Sequence, residues 1–510
     1  MKISIVSFLV SACVAVGVSA KMVPGYNQTR RPQVHFSPPV NFMNDPNGLF
    51  YYNGTYHMYY QYNPTGITAG NQHWGHATSD DLYHWHNQAI ALSPESPDEG
   101  IFSGSAVVDV DNTSGFFGNQ SSSNPGIVAI YTLNTPSKET QNIAYSTDGG
   151  YTFTKYSGNP VIDIDSNQFR DPKVIWHADT KKWVMAVALP TQFSVVFYTS
   201  SDLKTWEKAS TFSHHGWLGN QFECPNLVQV PVHNSQQQNS GEYKWVLVIS
   251  VNPGAPQGGS FTQFFPGEFD GTHFTPEDDA ARWVDFGKDN YAMQFFYGTQ
   301  NKTLGVGWAS NWQYTNIVPT SPWRSAMTLP RQYALWNDPV LSWQFISNPT
   351  DMSTIMKKNL FSGKVTKSQN IKLGDGSGAY YFDIYVSQDQ GQATQRANFT
   401  FISSSTKEEL RIGLLMDNGP FFFIDRSGTK GFDYPLFTDK FATIQYGGIG
   451  GWHVYGVLDK MILETFLNEG EQSATTTYFS NGVLDKLSIS LDSGLSATVN
   501  VTALSSGWDQ

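Results

Sequence analysis

The 510-residue chain predicts an all-β protein, a five-bladed β-propeller followed by a C-terminal β-sandwich. Three observations favour this class. Long helical periodicity is scarce, most of the chain consists of short alternating or aromatic runs between Gly, Asn, Asp and Pro residues, and one acidic turn pattern recurs. The chain also exceeds one ordinary domain of about 100–200 residues, which agrees with two folded units.

The first twenty residues predict a secretory signal peptide. Lys2 supplies the positive charge, Ile3–Val16 is apolar, and Val18-Ser19-Ala20 fits the small-residue rule for cleavage. A membrane anchor is the alternative, but the apolar run is shorter than the roughly 20 residues that a span needs. We therefore expect residues 1–20 to be removed and the protein to be secreted into the extracellular, periplasmic or cell-wall space.

Seven Asn-x-Ser/Thr sequons follow this segment. Each arises easily by chance, but seven behind a signal peptide favour a glycosylated secreted protein. The predicted glycosylation sites are Asn27, Asn53, Asn112, Asn119, Asn301, Asn398 and Asn500.

The chain contains two cysteines, Cys13 and Cys224. Removal of the signal peptide leaves Cys224 alone, so an internal disulfide is excluded. A nucleophilic role is conceivable, but Cys224 stands between Glu223 and Pro225 with no evident His partner. We therefore interpret it as a buried, inert thiol.

Residues 21–340 are predicted to form the propeller, which would be the catalytic domain. Its strand-like runs alternate in polarity or carry clustered aromatic side chains, as half-buried strands do. The clearest runs are Leu49–Tyr52, Tyr56–Tyr60, Ile127–Thr132, Lys182–Ala188 and Lys244–Val251.

A repeated turn indicates how these strands are grouped. Asp81, Asp148, Asp202 and Asp270 each follow a strand-like run, and an aromatic residue stands four or five positions later. The aspartates are 67, 54 and 68 residues apart, which suits one four-stranded blade with its loops. Four such turns and an N-terminal sheet give about five blades. Coincidental hairpin turns are the alternative explanation.

The repeat fades after Leu335, and residues 341–362 are predicted to be a linker. From residue 363 to residue 510, alternating segments with regular spacing indicate a β-sandwich. This part carries no dense cluster of acidic residues, His or Cys, so we expect a structural or ligand-contacting module. Its strand candidates are Ala379–Val386, Ala397–Phe401, Glu409–Met416, Pro420–Asp425, His453–Leu458 and Lys460–Leu467.

Composition narrows the classes of partner. The formal net charge is −12, from 31 Lys and Arg against 43 Asp and Glu, so the basic surface of a nucleic-acid-binding protein is absent. Charged residues make up only 15% and aromatic residues another 15%, which suits a neutral polar ligand. We expect no membrane partner for the mature chain. Neither a metal-binding His or Cys motif nor a nucleotide-binding glycine motif is present.

Three carboxylates stand in unusual local settings. Asp45 lies in the turn-forming segment 44–48, Asp171 stands between Arg170 and Pro172, and Glu223 has apolar and aromatic neighbours. Each has an ordinary explanation: a good turn, a local Arg–Asp ion pair and a solvated loop glutamate. The functional interpretation is that each begins a different blade and points to a common site.

Their surroundings predict different proton affinities. Arg170 should keep Asp171 ionised, whereas partial burial should raise the pKa of Glu223 and let it donate a proton near neutrality. Three such carboxylates suit a glycosidase, which needs a nucleophile, an acid/base and a binding group. Amide, hydroxyl and aromatic residues that can hold a sugar accompany them, namely Gln61, Trp74, Phe102, Ser103, Tyr291 and Trp312.

These segments together resemble the β-fructofuranosidases of glycoside hydrolase family 32. The resemblance rests on Asn44–Gly48, Arg170-Asp171-Pro172 and Glu223-Cys224-Pro225, and it runs through nearly all of the chain after the signal peptide. Further matching segments are Tyr59–Pro64, Phe102–Ser105, Asn252-Pro253-Gly254, Trp308–Trp312 and Pro322–Ser325. Each segment alone is weakly specific, but the set is highly specific.

The resemblance implies a propeller joined to a sandwich and a retaining hydrolase that releases terminal β-D-fructofuranosyl residues, converting sucrose into glucose and fructose. It implies Asp45 as nucleophile, Glu223 as acid/base and Asp171 as transition-state stabiliser. It also implies that no cofactor or metal is needed. The sugar-site positions carried over from the family are Asn44, Gln61, Trp74, Phe102, Ser103, Arg170 and Trp312.

Retention requires the Asp45 and Glu223 carboxyl groups to lie roughly 5–5.5 Å apart. Because Glu223 must be protonated and Asp45 ionised in the first step, we expect a mildly acidic pH optimum.

Three positions depart from the commonest family pattern. Phe42 replaces a usual Trp, Phe222 stands where Trp or Tyr is frequent, and Asn290 replaces a usual Asp. We expect these residues to lie behind the sugar site, where they would affect substrate preference and transfer more than reaction type.

The alternative functions are an exo-inulinase or a fructosyltransferase on the same site, or a non-catalytic carbohydrate-binding propeller. The sandwich could also mediate a homo-oligomer, because exposed sheet edges need cover.

Overall fold

The computed structural model describes residues 25–118, 126–234, 238–300, 302–374, 377–388, 394–416, 420–445 and 451–508. Within these ranges the chain forms 34 strands and two short 3₁₀ helices, Pro190–Gln192 and Thr315–Ile317, and it forms no α-helix. The all-β prediction is therefore confirmed. The signal peptide predicted at residues 1–20 lies outside the described residues. None of the described residues belongs to a helix long and apolar enough to cross a membrane.

The N-terminal unit contains 22 strands. In chain order they are β1 (Asn41–Tyr52), β2 (Thr55–Asn63), β3 (His73–Ser79), β4 (His86–Asn87), β5 (Gly100–Asp109), β6 (Gly126–Asn134), β7 (Glu139–Ser146), β8 (Thr154–Lys155), β9 (Arg170–His177), β10 (Lys182–Leu189), β11 (Ser194–Ser200), β12 (Glu207–Ser213), β13 (Phe222–His233), β14 (Asn239–Val251), β15 (Phe261–Phe269), β16 (Phe274–Pro276), β17 (Arg282–Trp283), β18 (Tyr291–Phe295), β19 (Leu304–Trp308), β20 (Trp323–Arg324), β21 (Arg331–Asp338) and β22 (Ser342–Pro349).

These strands form antiparallel groups arranged around one axis. The groups are β1–β4, β5–β8, β9–β12 and β13–β16, together with a last group that contains β18, β19, β21 and β22. The first strands of the groups contact one another in the closed order β1, β5, β9, β13, β18 and again β1. The short strand β20 pairs in parallel with β1, which joins the last group to the first. This is a β-propeller. The count of five blades stays a prediction, which this closed order supports.

The repeated acidic turns predicted from the sequence are confirmed. Each lies between the third and fourth strand of its group, and its carboxylate accepts backbone N–H groups of the turn. Asp202, for example, accepts from Lys204 N at 2.9 Å and from Thr205 N at 2.7 Å. The side chain therefore satisfies donors that the bend removes from the ladder.

A fifth acidic turn was not predicted. Asp338 accepts from Val340 N at 2.7 Å and from Leu341 N at 2.6 Å, and the aromatic Trp343 follows five positions after it. This turn joins β21 to β22, which pair along their whole length. The prediction of a linker over 341–362 was therefore wrong, because this stretch contains β22 and the start of the next strand. Proline after the aspartate forms the turn and does not end the pattern.

The C-terminal unit consists of two six-stranded sheets packed face to face. Their orders are β23-β34-β25-β30-β31-β32 and β24-β33-β26-β27-β28-β29. Side chains from both inner faces, including Phe382, Phe399 and Ile412, form one large buried core. The predicted β-sandwich is confirmed. Its strands are β23 (Met356–Val365), β24 (Ser368–Lys372), β25 (Ala379–Gln388), β26 (Gln395–Ile402), β27 (Glu409–Met416), β28 (Phe421–Asp425), β29 (Lys440–Ile444), β30 (Trp452–Asp459), β31 (Ile462–Leu467), β32 (Gln472–Thr477), β33 (Lys486–Leu491) and β34 (Leu495–Leu504).

A buried ion network ties the two units together. Arg331 on β21 lies 2.8 Å from Glu464 on β31 and 3.1 Å from Asp285. His35, in the segment before β1, lies 2.9 Å from Asp459 and 3.4 Å from Glu464. All five side chains are buried. The sandwich is therefore fixed to the propeller by ionic contacts that solvent ions screen much less than surface pairs.

Candidate active site

The predicted carboxylates meet in one cavity at an end of the propeller axis. Asp45 comes from β1, Asp171 from β9 and Glu223 from β13, and these are first strands of three different groups. The cavity has a volume of about 230 Å³. The residues that line it are Asn44, Asp45, Gln61, Ala69, Gln72, Phe102, Ser103, Arg170, Asp171, Glu223, Asn252, Tyr291 and Trp312.

A break in strand pairing recurs where each first strand reaches the cavity. The register shifts immediately at the site residues in all five first strands. A bulge of this kind bends the strand and redirects its side chains. Regular pairing would direct these side chains into the blade. Here the bulge turns them toward the axis. The shifts fall between Met43 and Pro46, Ile101 and Gly104, Arg170 and Lys173, Glu223 and Asn226, and Tyr291 and Gln294.

Three of these bulges place a residue other than glycine in the left-handed region. Asp171 has φ 66°, Cys224 has φ 47° and Ala292 has φ 51°. Such conformations cost free energy and persist where the surrounding structure enforces them, often at functional sites. Of these three residues only Asp171 was marked for chemistry by the sequence, while Cys224 and Ala292 directly follow the marked residues Glu223 and Tyr291.

Asp45 is held by donors on both carboxylate oxygens. Ser103 Oγ donates to Oδ2 at 2.7 Å, and Asn44 Nδ2 donates to Oδ1 at 3.1 Å. Burial raises the pKa of Asp45, the Ser103 hydrogen bond opposes this, and the nearby Glu223 raises the pKa further. The two hydrogen bonds fix the orientation of the carboxylate and favour its ionised form.

Glu223 is bound by a cation on one oxygen and a phenol on the other. Its Oε1 accepts from Arg170 Nη2 at 2.9 Å and from Nε at 3.1 Å, while the Tyr291 hydroxyl contacts Oε2. The ordinary explanation of Asp171, a local ion pair with Arg170, is therefore not the arrangement found among the described residues. The Arg170 guanidinium turns away from its neighbour because Glu223 and the buried Glu139 receive its N–H groups.

Asp171 lies beside Cys224. Its Oδ2 accepts from the backbone N–H of Cys224 at 2.9 Å, and its own N–H donates to Thr132 Oγ1 at 3.1 Å. Burial raises the pKa of Asp171, and the charge of Arg170 opposes this only in part. Arg170 thus favours the ionised form of Asp171, as expected, but burial outweighs this effect because the guanidinium is directed elsewhere.

Cys224 is buried, as expected, but it is central to the site. Its Sγ lies 3.5 Å from Asp45 Oδ2 and 3.5 Å from Asp171 Oδ2. Burial raises the pKa of the Cys224 thiol well above its usual value, and the adjacent carboxylates add to this rise. The thiol therefore stays protonated and can donate a weak hydrogen bond to either carboxylate. Its position next to Glu223 was the available sequence signal.

Most of the predicted sugar-binding residues line the cavity. Gln61 Nε2 donates to the Ile101 carbonyl at 3.0 Å, while its Oε1 has no partner among the described residues and can accept a hydroxyl. Trp74 is the exception, since it is completely buried and does not line the cavity. Its indole N–H donates to the Phe102 carbonyl at 3.0 Å, so it supports a lining residue from behind.

Ala69, Gln72 and Asn252 line the cavity but were not predicted. Only Asn252 lay in a segment that had been singled out, and the loop that carries Ala69 and Gln72 has no distinctive pattern.

The three departures from the family pattern lie behind the lining, as expected. Phe42 packs against Cys224, Tyr291 and Trp308. Phe222 belongs to a core between the third and fourth groups. Asn290 Nδ2 donates to Asp285 Oδ2 at 3.2 Å.

Two family models match the chain in sequence. Residues 35–345 match the N-terminal domain of glycosyl hydrolases family 32, and residues 351–505 match the C-terminal domain of that family. Together they cover most of the chain.

Individual relatives agree with this assignment. The chain is 41% identical to an invertase of Debaryomyces hansenii, over 90% of this chain and 89% of the relative. It is equally identical, at 41%, to an extracellular exo-inulinase of Meyerozyma guilliermondii, over 89% and 91%. The structure of a beta-fructofuranosidase from Schwanniomyces occidentalis complexed with fructosyl-erythritol superposes with a TM-score of 0.87 at 38% identity, over 95% of this chain and 99% of that one. The chain is a member of glycoside hydrolase family 32.

Proposed function

We propose that this β-fructofuranosidase hydrolyses sucrose to glucose and fructose by a retaining double displacement. One observation carries the mechanism: Asp45 and Glu223 line the same cavity in chemically different surroundings. Asp45 accepts hydrogen bonds from neutral donors, whereas Glu223 lies against a guanidinium and a phenol. Different environments are what separates a nucleophile from an acid/base.

In the first step, Asp45 attacks the anomeric carbon of the terminal fructose. The Ser103 and Asn44 hydrogen bonds favour its ionised form and fix its orientation at the cavity. Glu223 gives a proton to the departing glucose oxygen, and a fructosyl ester forms on Asp45. The expected separation of the two carboxyl groups, roughly 5–5.5 Å, stays a prediction.

In the second step, the ester is hydrolysed. Glu223 takes a proton from water, the water oxygen attacks the anomeric carbon, and Asp45 leaves as a carboxylate. Arg170 stabilises the ionised Glu223 that the first step produces. Tyr291 can accept a hydrogen bond from the protonated form and donate one to the ionised form, since a phenol does both.

Asp171 binds the fructose ring in this account. Its carboxylate is fixed by the Cys224 backbone N–H, close to Asp45, where it can accept fructose hydroxyls. When it is ionised, this carboxylate also stabilises the positive charge that develops on the ring in an oxocarbenium-like transition state. All of these groups belong to the chain itself.

Release of fructose from longer chains is the second candidate function. An extracellular exo-inulinase is as similar in sequence as the invertases are. Both activities use the same fructose site and differ in the group that leaves. Fructosyl transfer to a second sugar differs only in the acceptor of the second step.

We infer that the enzyme acts outside the cell as a glycoprotein. The signal-like N-terminus and the sequons support this, and one relative is described as extracellular. Asn27 and Asn53 are exposed, and the other described sequons are half-buried at Asn112, Asn398 and Asn500. Asn119 and Asn301 lie outside the described residues. A homo-oligomer formed through the sandwich stays a prediction, which light scattering tests.

Incubation with sucrose, a kestose and inulin tests the proposed function. We expect the highest kcat/KM on sucrose, with equal amounts of glucose and fructose as products. Glu223→Gln should lower kcat by about 10²–10⁴-fold, the usual contribution of a general acid. Glu207→Gln, which changes an exposed carboxylate on β12, is the matched control. Full activity of Glu223→Gln on sucrose would place the acid elsewhere, and a higher kcat/KM on inulin would favour the second function.

A further inference from the structure

A fourth carboxylate, Glu139 on β7, lies beside the site but does not line the cavity. We propose that Glu139 is a positioning residue that holds the Arg170 guanidinium against Glu223 and, by neutralising part of its charge, sets the pH dependence of the reaction. This inference rests on the proposed function of Glu223.

Glu139 contacts both the side chain of Arg170 and the backbone next to it. Its side chain is buried, and both of its oxygens accept from Arg170 Nη1, at 3.1 and 3.3 Å. Oε2 also accepts from the backbone N–H of Phe169 at 2.7 Å. The carboxylate thus fixes the guanidinium at one end and the backbone that carries it at the other.

The remaining N–H groups of Arg170 are thereby directed at the active site. Nε and Nη2 both donate to Glu223 Oε1, and Nη2 also lies 3.0 Å from Gln221 Oε1. A guanidinium is a rigid planar fork, so fixing Nη1 fixes the directions of the other donors. Without Glu139, Nη1 would keep only a long contact to Gln168 Oε1 at 3.5 Å, and Arg170 would be freer to pair with its neighbour Asp171.

The charges around Arg170 explain the effect on protons. Among the described residues that line the cavity, Arg170 is the only cation, and its charge acts on Asp171 and Glu223. An ionised Glu139 neutralises part of the guanidinium charge. Glu223 then experiences a weaker positive field, so the pH dependence of the reaction should respond to the charge of Glu139.

The charge of Lys138 does not offset the charge of Glu139. Lys138 is adjacent in sequence to Glu139, but its ammonium pairs with Asp163 at 2.7 Å, away from the site. Burial raises the pKa of Glu139, and the charge and hydrogen bonds of Arg170 oppose the rise. Glu139 and Glu223 therefore compete for one cation inside the protein.

The substitution Glu139→Gln separates this role from a purely structural one. The amide keeps the size of the side chain and can still accept from Arg170, but it carries no charge. We expect the basic limb of the pH profile of kcat/KM on sucrose to move to lower pH by about one unit. A structural role alone would lower stability or rate and leave the limb in place.

Two further variants complete the experiment. Glu139→Asp keeps the charge but is too short to contact Arg170 and Phe169 N together, so Arg170 should be held less firmly against Glu223 and kcat should fall about tenfold. Asp163→Asn removes one surface charge and should leave kcat and the basic limb unchanged. If Glu139→Gln is not recovered folded, Glu139→Asp decides, and wild-type kcat in that variant overturns the proposal.

The reaction on sucrose and the role of Glu139 are tested by separate results. A wild-type enzyme that releases no fructose from sucrose would overturn the proposed function. An active wild-type enzyme whose basic limb is the same in Glu139→Gln would overturn only the role of Glu139.

Discussion

At the scale of single residues, the contacts of each carboxylate differ more than their sequence motifs suggest. Asp45 and Asp171 share the thiol of Cys224, while Glu223 shares Arg170 with Glu139. Each carboxylate therefore shares a hydrogen-bond donor with a second carboxylate. Replacing one member of a pair should change the pH dependence of the reaction as well as its rate.

The pair of Ser103 and Asp45 gives a prediction with a definite sign. The Ser103 hydrogen bond opposes the rise that burial imposes on the pKa of Asp45. In Ser103→Ala this opposition is lost, the pKa rises further, and Asp45 ionises only at higher pH. We expect the acidic limb of kcat/KM on sucrose to move up by about one pH unit, since a hydrogen bond to a charged group is worth about 1.5–3 kcal/mol.

The matched control is Ser105→Ala on the same strand. Ser105 Oγ donates to the Pro172 carbonyl at 2.9 Å and makes no contact with Asp45. The acidic limb of the kcat/KM profile of Ser105→Ala should coincide with that of the wild type. A Ser103→Ala profile that overlays the wild-type profile would show that this hydrogen bond does not control the ionisation of Asp45.

Local motifs predicted which carboxylates matter but not how they are paired. Asp45, Asp171 and Glu223 stand in short, distinctive segments, and these were sufficient to place them in one site. The partner of Arg170 could not be predicted in this way, because Glu139 is remote in sequence and reaches it only when β7 packs beside β9. The same limit applies to the thiol contacts of Cys224.

At the scale of elements, acidic turns and bulges have separate roles in each group of strands. The turns close the outer strand of each group, far from the axis, and the bulges open the first strand at the axis. Turn residues are local signals, so four of the five turns were predictable. The bulges depend on pairing between strands and left no mark in the alternation of residues.

Loss of one acidic turn should lower stability without affecting catalysis. Burial raises the pKa of Asp202, but backbone hydrogen bonds from Thr205 and Lys204 outweigh it and lower the pKa. We expect Asp202→Ala to lower the free energy of unfolding by about 1 kcal/mol near pH 7. Because the folded-state pKa is lowered, this contribution is present above about pH 4 and disappears as the pH falls through the folded-state value.

Urea denaturation of Asp202→Ala and wild type at pH 7 and at low pH measures this. Glu207→Ala, at an exposed position on the adjacent strand β12, is the control and should match the wild type. A difference between Asp202→Ala and wild type that persists undiminished at low pH would contradict the assignment to ionised Asp202.

At the scale of the whole molecule, the sandwich is fixed to the propeller by buried charges. Three distant parts of the sequence supply Arg331, Asp285 and Glu464, and no local pattern predicts that these residues are in contact. The sequence therefore indicated two units but not the ionic contact between them. Breaking a buried pair of this kind typically costs about 3–5 kcal/mol.

His35 makes this contact sensitive to alkaline pH. Burial lowers the pKa of His35, but its interactions with Asp459 and Glu464 outweigh burial and raise the pKa to about 9. Because the folded-state pKa is raised, its stabilising contribution is complete below about pH 6.5 and is lost as the pH rises through about 9. We expect the wild type to lose stability on the order of 2 kcal/mol between these pH values.

Urea denaturation at a series of pH values checks this expectation. His35→Gln cannot be protonated and should show a flatter dependence across the same interval, while His86→Gln, at an exposed histidine, should follow the wild type. Equal slopes for wild type and His35→Gln would assign the alkaline instability to another group.

The central claim is that hydrolysis proceeds with retention through a fructosyl ester on Asp45, and the anomer formed in methanol tests it most directly. The enzyme is given sucrose in buffer that contains methanol, and the methyl fructofuranoside produced is identified by NMR, because a glycoside cannot interconvert as free fructose does. Two displacements predict methyl β-D-fructofuranoside. Formation of the α anomer would mean a single inverting displacement and would contradict the account.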